Sequence, residues 1–270
     1  MSTELTLNQP IEPRTSAVLA LRDTVGVAKR NLLRIARTPL MLIVTAIQPA
    51  LLLLLFRYVL GGAIQIPGGR PYVDFVVPAI FVEAVLIGGM TTSIGLAQDL
   101  KSGIIDRFRS LPMARSAVLA GRTVADLSRS IFSLTVMIGL GLLVGFRFHN
   151  SAPRILAGIA VILAFGYAFS WMYAAIGLAT KDPESAQIAG ILPFFVLMFA
   201  SNAIVPVATM PGWLQGFARN QPLSITVSAV RALLEGSAAS HWVWQSLAWA
   251  TAIFTVSFTL SIWLYRNNTS

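Results

Sequence analysis

The sequence predicts an all-α polytopic membrane protein with six transmembrane helices. Two observations carry this. Mean hydropathy is +0.73 with 56% apolar residues, and those residues gather in runs of about twenty, which soluble domains lack. Only 11% of residues are charged, and they collect between the runs. A hydrocarbon core of about 30 Å takes roughly 20 helical residues per crossing, so the 270 residues accommodate about six crossings in one bundle.

In order, residues 1–15 (MSTELTLNQPIEPRT) are polar with two prolines and read as a disordered tail. Residues 16–38 follow as an amphipathic helix. Val18, Leu21, Val25, Ala28, Leu32 and Ile35 recur at helical spacing, with Arg22, Lys29, Arg30, Arg34 and Arg37 mostly on the other side. Such a helix lies on the membrane with its basic face at anionic headgroups, and Pro39 bends the chain into the bilayer. Residues 39–266 form the transmembrane region, with crossings expected at about Leu40–Leu60, Val73–Ala97, Val124–Phe146, Arg154–Thr180, Ile188–Val205 and Gln245–Tyr265. Pro49, Pro78 and Pro193 lie inside crossings, where they release backbone carbonyls and shape packing. KDPESAQ after the fourth crossing reads as a tight inner connection. Pro206–Trp244 is too long for a turn and too polar to cross; PGWLQGFARN and SITVSAVRALLEG are expected as short helices dipping part-way into the outer leaflet. Trp213, Trp242 and Trp244 suit an interfacial aromatic belt.

Charge sets the orientation. With the N-terminus inside, fourteen basic residues face the cytoplasm and six face out, so both termini are expected to be cytoplasmic, in a multi-pass protein of the cytoplasmic membrane. The +9 net charge is then a topology signal rather than a nucleic-acid footprint. The absence of cysteine excludes disulfides and thiolate chemistry. His149 and His241 fall in outer loops with no second ligand at fixed spacing, which argues against a metal site and against an intramembrane serine protease. Residues 1–40 lack the apolar core of a cleavable signal, so the first span is expected to remain as an anchor.

The most charged inner segment, LAQDLKSGIIDRFRSLPMARSAVLAGR (96–122), contains GIIDRFRSLP. Ile104, Ile105, Phe108 and Leu111 share one helical face, and Asp106, Arg107, Arg109 and Ser110 share the other. Gly103 and Pro112 bracket about two turns of isolated helix. Physics alone leaves two readings open: a basic loop that only sets topology, or a helix displayed to a cytoplasmic partner with its apolar face in a groove.

DLKSGIIDRFRSLPMARSAVLAGR resembles the cytoplasmic signature of type-2 ABC transporter permeases, in particular the daunorubicin-resistance branch. KDPESAQ and PVATMPGWLQGFARNQPLSITVSAVRALLEG extend the resemblance from about Arg30 to Arg266. It implies signature positions at Asp99, Gly103, Arg107, Leu111, Pro112, Arg115 and Arg122. It also implies that Gly103–Leu111, with Ile104, Asp106, Phe108 and Arg109, is a coupling helix docking on an ATPase subunit. Further implications are a second permease as homodimer or paralogue partner, ATP and magnesium on the ATPase subunit, and export of a hydrophobic or amphipathic compound such as an antibiotic or lipid.

The chain has no nucleotide site of its own to expect. Its lysines are Lys29, Lys101 and Lys181, and none closes a G-x-x-x-x-G-K-[ST] loop. Glu83 lies about ten residues into the second crossing and reads either as a polar or proton site on a transport path or as half of a buried helix–helix hydrogen bond. Trp171 and Tyr173, in FSWMY, suit an apolar substrate but are also ordinary in membrane helices. Asp126, four residues after Arg122 and three before Arg129, is spaced for a structural ion pair. Two other classes stay open: a proton-coupled carrier working through Glu83, which the absence of internal repeats disfavours, and a membrane scaffold without transport.

Overall fold

The computed structural model describes residues 39–64, 66, 69–102 and 115–267, and every regular element among them is helical. The tail, the amphipathic helix expected over 16–38 and the coupling helix expected over Gly103–Leu111 lie outside the described residues.

Helix α1 (Pro39–Leu55) opens on proline, whose fixed φ suits a helix start, and continues as a π turn over Phe56–Leu60. Gly61 follows that turn at a place where only glycine fits, because a Cβ there would stand 2.2 Å from the Arg57 carbonyl oxygen. Helix α2 (Tyr72–Lys101) is apolar on all sides, with Asp74 in its first turn and Lys101 in its last, each matched to the helix dipole. That pattern suits a helix enclosed by others. In its most apolar stretch 83% of residues are buried, against 17% for the last helix of the chain, Ser240–Asn267.

Around α2 stand α3 (Arg115–Leu143), α4 (Ala152–Thr180), α5 (Pro183–Phe199) and α7 (Pro222–Glu235), with α1 on a further side. The short α6 (Gly212–Asn220) leads into α7, and α8 (Ser240–Asn267) packs on α4 and α7. Helices α2 and α4 approach unusually closely: a Cβ on Gly177 would lie 2.3 Å from the Ser93 carbonyl oxygen, and one on Gly166 would lie 2.0 Å from Val85 Cγ1. One core joins α2 to the facing sides of α1, α3, α4, α5 and α7; a smaller cluster of Leu96, Trp171, Ala174, Leu178 and Tyr265 forms between α2, α4 and α8.

Four helices among the described residues are long and apolar enough to cross a membrane: α2, the Asp126–Leu143 part of α3, α4 and α8. Ala46–Leu60 and α5 are shorter apolar helices. Seventeen residues at 1.5 Å each give α5 a length of about 26 Å, just under the core thickness.

Helices α3 and α8 start earlier than the crossings expected from the sequence, at Arg115 and Ser240 rather than Val124 and Gln245, and both ends of the fifth apolar helix differ from its expected crossing. The fifth apolar helix begins at Pro183 rather than Ile188, because Asp182 caps it, accepting from the Ser185 N–H at 3.2 Å, and Pro183 takes the first helical position. The inner connection therefore shrinks to Lys181, in the left-handed region at φ 56°, and Asp182. The same helix stops at Phe199 rather than Val205. Ser201 Oγ donates to the Met198 carbonyl and accepts from the Ala203 N–H, which replaces helical bonds with a local turn.

The short helices before the last span are present, but α7 is no surface element: eleven of its fourteen residues are buried. It starts with Gln221 accepting from the Leu223 N–H at 2.9 Å and ends at Gly236, φ 94°. Trp213 and Trp244 are exposed as expected of a belt, whereas Trp242 packs partly buried against the core.

Candidate functional site

The polar groups of the bundle fall at three depths along α2. At its C-terminal end, Lys101 Nζ meets Asp182 Oδ1 at 2.9 Å, tying the last turn of α2 to the α4–α5 junction. That hydrogen bond, followed by the Ser185 N–H and the lysine charge, holds the Asp182 carboxyl below the usual aspartate range. Asp99 lies half-buried in the last turn of α2. Gly103, Ile104, Asp106, Arg107, Phe108, Arg109, Leu111 and Pro112 lie outside the described residues, and Arg115 opens α3 with its side chain outside them too.

One level further in, Asp126 and Arg129 of α3 form an ion pair at 2.6 Å. Arg129 also donates to the Gly88 carbonyl at 3.2 Å and to the Thr91 hydroxyl, while the Thr92 hydroxyl donates to Asp126. The pairing within α3 was legible from the i, i+3 spacing; the threonine partners on α2 were not. With Asp126 3% exposed, removing either ion would strand its partner in a dry place.

Glu83 is eleven residues from Tyr72, about 16 Å along α2 from its first residue. It is 0% exposed, and neither carboxyl oxygen has a hydrogen-bond partner among the described residues. An unneutralised carboxylate there costs on the order of several kcal/mol. By helical spacing it shares a face with Val76, Ile80, Ile87 and Met90. Met90 identifies what that face looks toward: a Cβ on Gly190 of α5 would come within 3.0 Å of Met90 Cγ. Helices α2 and α5 run antiparallel, because Ser93 Oγ reaches the Ala186 carbonyl and Tyr72 Oη reaches the Ile204 carbonyl. Glu83 is accordingly level with Phe194, just past Pro193.

The structure does not bring Trp171 and Tyr173 together. Both are buried, but they project from different sides of α4. Tyr173 packs between Gly89 of α2 and Gly190 of α5, and Trp171 faces Phe254 and Phe258 of α8. Only Tyr173 shares the α2–α5 seam with Glu83.

At the outer end Arg231 of α7, 9% exposed, donates to the Phe75 carbonyl at 2.7 Å and to the Ala203 carbonyl at 2.9 Å, with its guanidinium 3.6 Å from the Phe75 ring centre. Arg70 pairs with Glu235 at 2.6 Å one turn further out. Burial raises the Glu235 carboxyl above its usual range, against the opposing pull of Arg231 and Arg70. Sequence reading took SITVSAVRALLEG as a short helix and did not single out Arg231. No group of three metal-ligating side chains occurs among the described residues.

Residues 23–234 match the family model described as ABC-2 type transporter. The chain is 32% identical over 254 residues to the daunorubicin resistance ABC transporter permease protein DrrB1 of Streptomyces coeruleorubidus, covering 94% of this chain and 89% of the relative. It is 28% identical over 244 residues to the probable doxorubicin resistance ABC transporter permease protein DrrC of Mycobacterium tuberculosis, covering 90% and 88%. To the doxorubicin resistance ABC transporter permease protein DrrB of the same organism it is 30% identical over 194 residues, covering 70% and 67%.

Proposed function

The chain belongs to the ABC-2 type transporter family, and we propose that it is the permease subunit of an ATP-driven exporter that moves a hydrophobic or amphipathic compound out across the cytoplasmic membrane. The observation that carries this reading is the family match over most of the chain, joined to relatives named as drug-resistance permeases. In it, six spans cross the membrane with both termini in the cytoplasm. ATP and magnesium bind to a separate ATPase subunit, consistent with three lysines that close no phosphate loop. A second permease, either the same chain or a paralogue, completes the pathway, and lipids surround it.

The coupling segment around Gly103–Pro112 receives the ATPase movement, with Asp99 and Arg115 flanking it. Helix α2 is suited to carry that movement. It is an uninterrupted helix of 30 residues, about 45 Å long, fastened at its inner end through Lys101 and Asp182 and at its outer end through Arg231. Closure of two ATPase subunits on ATP then tilts α2 as a rod, and the seam that holds Glu83 and Tyr173 opens or shuts with it. Trp171, on the α8 side, supports α4 rather than lining that seam.

Copurification tests the reading. The membrane-extracted chain should hold an ATPase whose turnover and ATP-dependent export both fall at least tenfold when Phe108→Ala and Arg109→Ala are combined. Transport that follows a proton gradient with no bound ATPase would instead establish a secondary carrier, and no transport at all a scaffold.

A further inference from the structure

We infer that α3 splints α2, with Asp126 and Arg129 as the positioning residues that make α2 act as one lever. The inference rests on the permease reading and assigns a role within it: how movement at the C-terminal end of α2 reaches the stretch that carries Glu83.

Helix α2 is continuous, but its backbone is soft at two places. Pro78 supplies no N–H to the Asp74 carbonyl, and Gly88 and Gly89 stand side by side, a pairing at which helices bend. Helix α3 lies against both places. Gly141 lets it close on the two side chains that flank Pro78: a Cβ on Gly141 would stand 3.1 Å from Val77 Cγ1 and 3.3 Å from Phe81 Cζ.

At the glycine pair the hold is polar. Arg129 donates to the Gly88 carbonyl at 3.2 Å and to the Thr91 hydroxyl, Thr91 donates to the same carbonyl at 2.8 Å, and Thr92 donates to Asp126. The 2.6 Å ion pair within α3 fixes the two side chains that make these bonds. Asp126 and Thr92 are buried, and hydrogen bonds to ions away from water are strong. Packing does not replace them, since a Cβ on Gly88 would meet nothing within 4 Å.

Both helices border residues 103–114 along the chain, where the ATPase acts in the permease reading. A push there that bent α2 at Gly88 and Gly89 would be absorbed in its last three turns. Held to α3, α2 passes the push on to residues 79–87, between the two splinted places, and so to Glu83.

The test uses the complete complex of permease and ATPase subunit in nanodiscs. The chain has no cysteine, so bimane attached before the ATPase subunit is added reports one position at a time. Gln98→Cys marks the C-terminal end of α2 and Pro71→Cys the residue before its N-terminal end; both positions are exposed. Magnesium with non-hydrolysable adenylyl imidodiphosphate should change both signals. Thr91→Val combined with Thr92→Val removes two hydrogen bonds; it should keep the Gln98 response and lose at least about half of the Pro71 response. Adding Gly88→Ala, which stiffens the glycine pair, should restore the Pro71 response. Gly139→Ala on α3, the same gain in helix propensity in open space, should not. Thr91→Val alone leaves Asp126 bonded and should give a smaller loss; it is the deciding variant if the double one does not assemble.

An intact Pro71 response in the valine variants, equal losses at both labels, restoration by Gly139→Ala as well as Gly88→Ala, or no Pro71 response in the wild type overturns the inference. A chain that binds no ATPase defeats instead the permease reading beneath it.

Discussion

Arg231 and Phe75 are joined twice: the guanidinium donates to the Phe75 backbone carbonyl at 2.7 Å and lies 3.6 Å from the centre of the Phe75 ring. The same side chain reaches the Ala203 carbonyl at 2.9 Å, so one residue of α7 fastens the outer end of α2 to the turn that follows α5. No carboxylate lies within ion-pair distance of it among the described residues; backbone dipoles and an aromatic face take that place.

Truncating this clamp should cost more than an ordinary surface change. Arg231→Ala leaves carbonyls without their donor and a void beside Phe75, a loss of about 2–4 kcal/mol. Arg231→Lys keeps the charge but not the planar fork and should fall between. Thermal unfolding in detergent, followed by loss of the monodisperse peak, measures the order wild type, lysine, alanine; an alanine variant as stable as wild type would refute the clamp.

The α2–α4 contact should be intolerant of one methyl group. A Cβ on Gly177 would stand 2.3 Å from the Ser93 carbonyl oxygen, which is backbone and cannot rotate away. Gly177→Ala therefore pushes two helices apart at an expected cost of about 1–3 kcal/mol. Gly139, with open space around its Cβ position, serves as the control: alanine, the better helix former, should leave the melting temperature unchanged or raised there.

At the inner end the prediction concerns pH. The Lys101 hydrogen bond lowers the Asp182 carboxyl below the usual aspartate range, so the pair is intact at neutral pH. Because the folded value is depressed, its contribution is fully present above the unfolded value and disappears as pH falls through the folded one. An infrared titration of the Asp182 carboxyl should show a midpoint below the usual aspartate range in the wild type, rising toward that range in Lys101→Ala. No movement of that midpoint on removing Lys101 would show that the bond does not form in the membrane.

The outcome at individual residues shows how far sequence reasoning reaches. Asp126 and Arg129 were legible as a pair because helical spacing alone brings i and i+3 together, while Thr91 and Thr92 depend on how α2 and α3 register. Trp171 and Tyr173 read as one motif because they are two residues apart; in a helix that separation turns them about 200° from each other, and the structure gives them different neighbours. The ends of α5 moved because capping by Asp182 and the turn at Ser201 outweigh hydropathy, which is a mean over a window and does not register local hydrogen bonds.

By itself the sequence determined the membrane environment, the helical class and the family. Apolar runs leave the backbone no alternative to internal hydrogen bonding in lipid, and the DLKSGIIDRFRSLP signature is a linear pattern. Only the tertiary structure decided that α2 is the enclosed axis of the bundle, that most of α7 is buried, and that Glu83 is a carboxyl without a hydrogen-bond partner among the described residues. These are facts about which surfaces meet, as at Gly166 and Gly177, whose close neighbours Val85 and Ser93 lie far from them along the chain.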